Sequence, residues 1–89
     1  MAVTALEITA REKLDTLQIT NAYDVFVKTV FSAMWSSALP VETIAAIGNA
    51  MHGMTATTTT LKGALVRAVR AKVLRSRVQN GQRLYEVVL

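Results

Sequence analysis

The stretch Val73-Leu74-Arg75-Ser76-Arg77-Val78-Gln79-Asn80-Gly81-Gln82-Arg83-Leu84-Tyr85-Glu86-Val87 decides how the rest of the chain reads. Leu74, Ser76 and Val78 alternate with Arg75, Arg77 and Gln79, and Arg83, Tyr85 and Val87 alternate with Leu84 and Glu86, the period of a strand. Asn80-Gly81 between the two runs is a strong hairpin signal, because both central residues of a type I′ turn need φ > 0. A two-residue turn sets Leu74 opposite Val87, Ser76 opposite Tyr85 and Val78 opposite Arg83. One side of the predicted ribbon is then largely apolar, while the other carries Arg75, Arg77, Gln79 and Gln82.

Working upstream, the period changes. Leu61, Ala64, Leu65, Ala68 and Val69 fall at i, i+3, i+4, i+7 and i+8, one stripe of a helix. A polar start, Thr55-Ala56-Thr57-Thr58-Thr59-Thr60, precedes it, and Thr55 or one of the later threonines supplies the cap. Before that, Leu39-Pro40 opens a short helix whose predicted buried side is Val41, Ile44, Ala45, Ile47 and Met51. His52-Gly53-Met54 connects the two, with Gly53 suited to a left-handed cap and Met51 and Met54 read as core filler. A short helix, a tight turn containing glycine and a second helix describe a helix-turn-helix.

Two helices are expected nearer the N-terminus. Asn21 caps one that runs to about Ser37, with Asp24 favourable against the helix dipole. Tyr23, Val27, Val30, Phe31 and Met34 line one side of it, and Val25, Phe26, Ala33 and Trp35 make the other side partly apolar. A helix apolar nearly all round is either central or shared between chains, so a homodimer contact through Phe26 and Trp35 is expected. Residues 1–20 form the other helix, with capping-box patterns at Thr4–Glu7 and at Thr9–Glu12. Its stripe of Leu6, Ala10, Leu14 and Leu17 is thin, which suits the outside of the domain or a partner subunit. The expected dimer residues are therefore Leu6, Leu14, Leu17, Phe26 and Trp35, with 21–89 as the main domain.

Eighty-nine residues without cysteine make one small domain, with no disulfides or thiolate metal sites. No apolar run approaches a membrane span, and the start carries Glu7 and no basic cluster, unlike a signal peptide. A cytoplasmic location is the expectation, with no membrane partner. The net charge of +4 hides an asymmetry. Residues 1–53 carry Arg11, Lys13 and Lys28 against Glu7, Glu12, Asp15, Asp24 and Glu42, net −2. Residues 54–89 carry Lys62, Arg67, Arg70, Lys72, Arg75, Arg77 and Arg83 against Glu86 alone, net +6. Charge concentrated on one helix and one ribbon suits a polyanion.

The order of these elements resembles the winged helix-turn-helix family of DNA-binding domains. Pro40-Val41-Glu42-Thr43-Ile44-Ala45 look like the supporting helix, and Thr58-Thr59-Thr60-Leu61-Lys62-Gly63-Ala64-Leu65-Val66-Arg67-Ala68-Val69 like the recognition helix. Residues 73–87 look like the wing. The fold class expected is mainly α with a C-terminal β-hairpin, a winged helix with an added N-terminal helix. This chain departs from the family in two places: it has Ala71-Lys72 where glycine is frequent, and its turn at Asn80-Gly81 is short. The resemblance implies that Thr57, Thr58, Thr59, Thr60 and Lys62 sit at the major groove of double-stranded DNA. It also places Arg67 and Arg70 near phosphates, and Arg75, Arg77 and Arg83 on the wing.

The function expected is that of a small DNA-binding transcriptional regulator, dimeric, without cofactor or metal. The competing class is a winged-helix adaptor or inhibitor whose basic face meets an acidic protein partner. An enzyme is not expected: His52 is isolated, and the chain has neither a Gly-rich phosphate loop nor clustered carboxylates.

Overall fold

The computed structural model describes residues 4–52 and 55–89. Four helices precede a two-stranded antiparallel hairpin: α1 (Ala5–Asp15), α2 (Ala22–Ala33), α3 (Val41–His52), α4 (Thr58–Arg70), β1 (Leu74–Gln79) and β2 (Gln82–Val87). The mainly α class with a C-terminal hairpin is what the sequence led us to expect. Gly53 and Met54 lie outside the described residues.

Three of the four helices, α1, α2 and α4, begin where a polar side chain takes up free backbone donors. The Thr4 hydroxyl accepts from Glu7 N–H at 3.1 Å, which places the first of the two candidate caps at the start of α1. Asn21 and Asp24 form a reciprocal capping box on α2, and Thr57 and Thr60 form one on α4. Two helices end earlier than their apolar pattern suggested. α1 stops at Asp15, since Thr16 closes it and Thr20 and Asn21 are drawn to the Asp24 carboxylate. α2 stops at Ala33, because Ser36 and Ser37 are poor helix formers and the chain must turn to bring Leu39 alongside β2. There Leu39 and Tyr85 exchange both backbone hydrogen bonds at 2.8 Å, tying the hairpin to the segment before α3.

The core takes one stripe from every helix and the root of the hairpin. Ala10, Leu14, Leu17, Phe26, Val27, Val30, Phe31, Ile44, Leu61, Leu65, Val73, Leu74 and Val87 are all buried in it. Each large aliphatic or aromatic side chain so enclosed contributes about 1.5–3 kcal/mol. This burial corrects most of the expected dimer surface. Leu14, Leu17 and Phe26 are fully or nearly enclosed by their own chain, because α1 packs on α2 and β2 as part of the domain. Only Leu6, 56 % exposed, and the half-buried Trp35 remain available. Met51 is also exposed and not core, lying in the last turn of α3.

Phe26 explains a glycine in the middle of α3. A Cβ on Gly48 would fall against Cζ and Cε1 of the Phe26 ring and 2.7 Å from Cε2. α2 and α3 therefore cross with the aromatic ring resting on bare helix backbone.

The hairpin register pairs Leu74 with Val87, Ser76 with Tyr85 and Val78 with Arg83, as the two-residue turn demands. Asn80 and Gly81 both have positive φ, 53° and 75°. The helix-to-strand junction closes α4 without a glycine. Val73 N–H reaches Ala68 C=O and Lys72 N–H reaches Val69 C=O, a Schellman closure of α4. Its left-handed position, φ 62°, is occupied by Lys72.

Candidate nucleic-acid interface

α4 is held in place by two polar clamps. From α3, the Asn49 side chain donates to Ala56 C=O (3.0 Å) and accepts from Ala56 N–H (2.7 Å), fixing the backbone just ahead of the α4 cap. From α2, Asp24 is fully buried and accepts from Thr20 N–H and hydroxyl (2.8 and 2.6 Å), from Asn21 N–H and from Arg67 Nη2 at 2.8 Å. Burial alone would raise the Asp24 carboxyl, but the Thr20 donors and the Arg67 guanidinium outweigh it and hold it below its ordinary value. Neither clamp was visible in the sequence, where Asp24 read as a dipole partner and nothing singled out Asn49. Asparagine one turn from the end of a helix, ahead of a tight turn, is the only signal that could have suggested it.

These clamps sort the candidate residues. Arg67 acts as a strut: its partner is a buried carboxylate, and its Nε is itself buried without a hydrogen-bond partner. A Cβ on Gly63 would come within 3.3 Å of the Arg67 guanidinium, so glycine one turn earlier leaves that side chain its path. Thr57 and Thr60 commit their hydroxyls to each other's backbone in the capping box. Thr58 and Thr59 make no side-chain hydrogen bond among the described residues, and no acidic residue lies in the first turn of α4. Thr59, Lys62, Gly63, Val66 and Arg70 follow one another at helical spacing, and all are at least partly exposed. They form the outward stripe of α4.

The hairpin arginines divide in the same way. Arg75 and Arg77 both reach Glu86, at 2.8 and 3.3 Å, on the outer side of the ribbon. Pairs this exposed contribute about 0–1 kcal/mol, so Glu86 holds them loosely. Arg83 lies on the inner side and donates to the Ser76 hydroxyl at 3.0 Å. It shares an open trough of about 320 Å³ with Arg70, floored by Val66, Val69 and Tyr85. Among the described residues Lys62, Arg70, Lys72 and Arg83 have no carboxylate within ion-pair distance. The structure thus brings Thr59, Lys62, Arg70 and Arg83 onto one accessible cationic surface, with Thr58 half-buried beside it, Arg75 and Arg77 behind it and Arg67 held by the buried Asp24.

No cluster of His, Asp or Glu among the described residues could hold a metal ion, and none of the described helices is long and apolar enough to cross a membrane. Comparison with known proteins finds no matching family model, no matching curated sequence and no matching solved structure.

Proposed function

We propose that this protein is a small winged helix-turn-helix that binds duplex DNA and acts as a transcriptional regulator by occupying its site. α3 would be the supporting helix, α4 the helix that enters the major groove, and the hairpin the wing. The observation that carries this reading is the stripe of unpaired cations, Lys62 and Arg70 on α4 with Arg83 across the trough, beginning at a helix N-terminus free of acidic residues. Amides and hydroxyls at such an end donate to phosphate, and the helix dipole favours the anion there. Thr59 and the exposed Val66 offer methyl groups to thymine. The Leu39–Tyr85 bridge supports the reading too, because it ties the ribbon to the segment just ahead of the supporting helix α3.

The test is the salt dependence of duplex binding. Each cation that neutralises a phosphate contributes about 0.9 to the steepness of log affinity against log salt, and removing it should flatten the slope by that amount. Lys62→Gln, Arg70→Gln and Arg83→Gln should each do so, and Arg75→Gln and Arg77→Gln should do so more weakly, since Glu86 already neutralises part of their charge. Unchanged affinity and slope in the triple Lys62, Arg70, Arg83 variant would remove DNA from consideration.

A further inference from the structure

The hairpin carries a second binding feature, its backbone edge. Tyr85 exchanges its backbone hydrogen bonds with Leu39, on the side of β2 away from β1. Ser76, opposite Tyr85, therefore belongs to a non-hydrogen-bonded pair and points its own N–H and C=O away from β2. Val78 has the same parity. Leu74 shares it but is only 1 % exposed, so the accessible edge begins at Ser76. Among the described residues nothing hydrogen-bonds these four groups of Ser76 and Val78, and Val78 is 61 % exposed.

We propose that this edge of β1 takes up an extended peptide strand in which apolar and acidic residues alternate. A strand added there places alternate side chains on opposite faces of the ribbon. Those opposite Ser76 and Val78 lie on the inner face, beside the troughs that share Val69 and Ser76 as lining, where an apolar side chain finds cover. Those opposite Arg75 and Arg77 lie on the outer face, where two exposed guanidinium groups share the single Glu86 carboxylate. Charge complementarity selects acidic residues there. A second copy of this chain is a poor occupant, because edge-to-edge pairing sets Arg75 and Arg77 against their own counterparts. A small ligand is a poor occupant too, since open troughs do not enclose the 70–90 % of surface that such ligands bury.

The proposal does not depend on DNA binding. Its probe is a synthetic peptide alternating valine with glutamate, compared with a peptide of the same composition in block order and with one alternating valine with lysine. The alternating acidic peptide should bind at least about tenfold tighter than either control, and should slow amide exchange at Ser76 and Val78. Ser76→Pro removes one outward N–H without touching the β1–β2 ladder and should weaken binding roughly tenfold. Should that variant fail to fold, the Arg75→Glu/Arg77→Glu double variant decides, and it should prefer the valine–lysine peptide. Equal binding of the block-order peptide, or exchange at Ser76 and Val78 that the acidic peptide leaves unslowed, overturns the proposal.

Discussion

Replacing Gly48 with alanine sets two physical effects against each other, and the structure says which wins. In a helix interior alanine is favoured over glycine by about 1 kcal/mol. A surface glycine in α3 would therefore be improved by the change. Gly48, however, lies under a ring with no exposed surface, and the added methyl would meet three ring carbons, one of them at 2.7 Å. Carbon atoms rest at about 3.5–4.0 Å, so ring and helix must separate by roughly 1 Å or more. Phe26 belongs to a core that includes Val27, Val30, Phe31 and Ile44, and it cannot swing into solvent. Overpacking of this kind costs about 1–3 kcal/mol or more, and the ring clash sits at the upper end. The expected result for Gly48→Ala is a net loss of about 2 kcal/mol. Urea unfolding followed by the fluorescence of the single tryptophan, Trp35, measures it as a lower midpoint with unchanged slope. The sharper measurement is a double-mutant cycle. Phe26→Leu alone should destabilise by opening a cavity, yet in its presence Gly48→Ala should lose most of its penalty, giving a coupling of about 1–2 kcal/mol. A midpoint raised by Gly48→Ala, or additive effects in the cycle, would refute the close approach of α2 and α3.

Three further outcomes follow from local geometry. Lys72→Gly relieves a left-handed residue that costs about 1–2 kcal/mol, partly offset by glycine's freedom in the unfolded chain, so thermal unfolding should show a gain of about 0.5–1 kcal/mol. Asn49→Ala leaves the N–H and C=O of buried Ala56 without partners and should cost about 2–3 kcal/mol, with faster amide exchange at Ala56. Asp24→Asn should cost about 2–3 kcal/mol at neutral pH, less than a fully enclosed pair because Arg67 is 40 % exposed. The Asp24 carboxyl is held below its unfolded value of 3.8, so its stabilisation is complete above that pH and is lost as pH falls through the lower folded value. The gap between wild type and Asp24→Asn in urea titrations should therefore be constant at neutral pH and shrink only below about pH 4.

The parts of this fold that were legible in the sequence are those governed by near-neighbour rules. The hairpin register followed from Asn80-Gly81 and the alternation around it, since a two-residue turn leaves one pairing. The stripe of α4 followed from its period, and its start from the threonines. The less legible parts depend on contacts between residues distant in sequence. Asp24 and Arg67 are forty-three positions apart, so nothing local marks one as the other's partner. The early end of α2 reflects the demand that Leu39 reach Tyr85. Phe26 and Leu14, read from the sequence as surplus apolar surface, are enclosed in the core of their own chain. A four-helix core of this size uses both sides of α2, the inner one against α4 and the other under Gly48.

The same long-range contacts decide what the basic third of the chain can do. A count of charge treats seven cations alike, yet desolvation separates them. Pulling Arg67 toward a phosphate would take the guanidinium from a carboxylate with no exposed surface and leave it only the Thr20 and Asn21 donors, a loss of about 2–3 kcal/mol that one exposed phosphate pair does not offset. Moving Arg75 or Arg77 from Glu86 to a phosphate exchanges one exposed pair for another at little cost. Lys62, Arg70 and Arg83 give up no ion pair at all. The free energy available for meeting a polyanion therefore runs along the outward stripe of α4, across the trough to Arg83, and only then to the far side of the ribbon. Arg67 contributes by tying α4 to α2 through Asp24, so its removal should weaken the proposed duplex binding through loss of helix position while leaving the salt slope nearly unchanged.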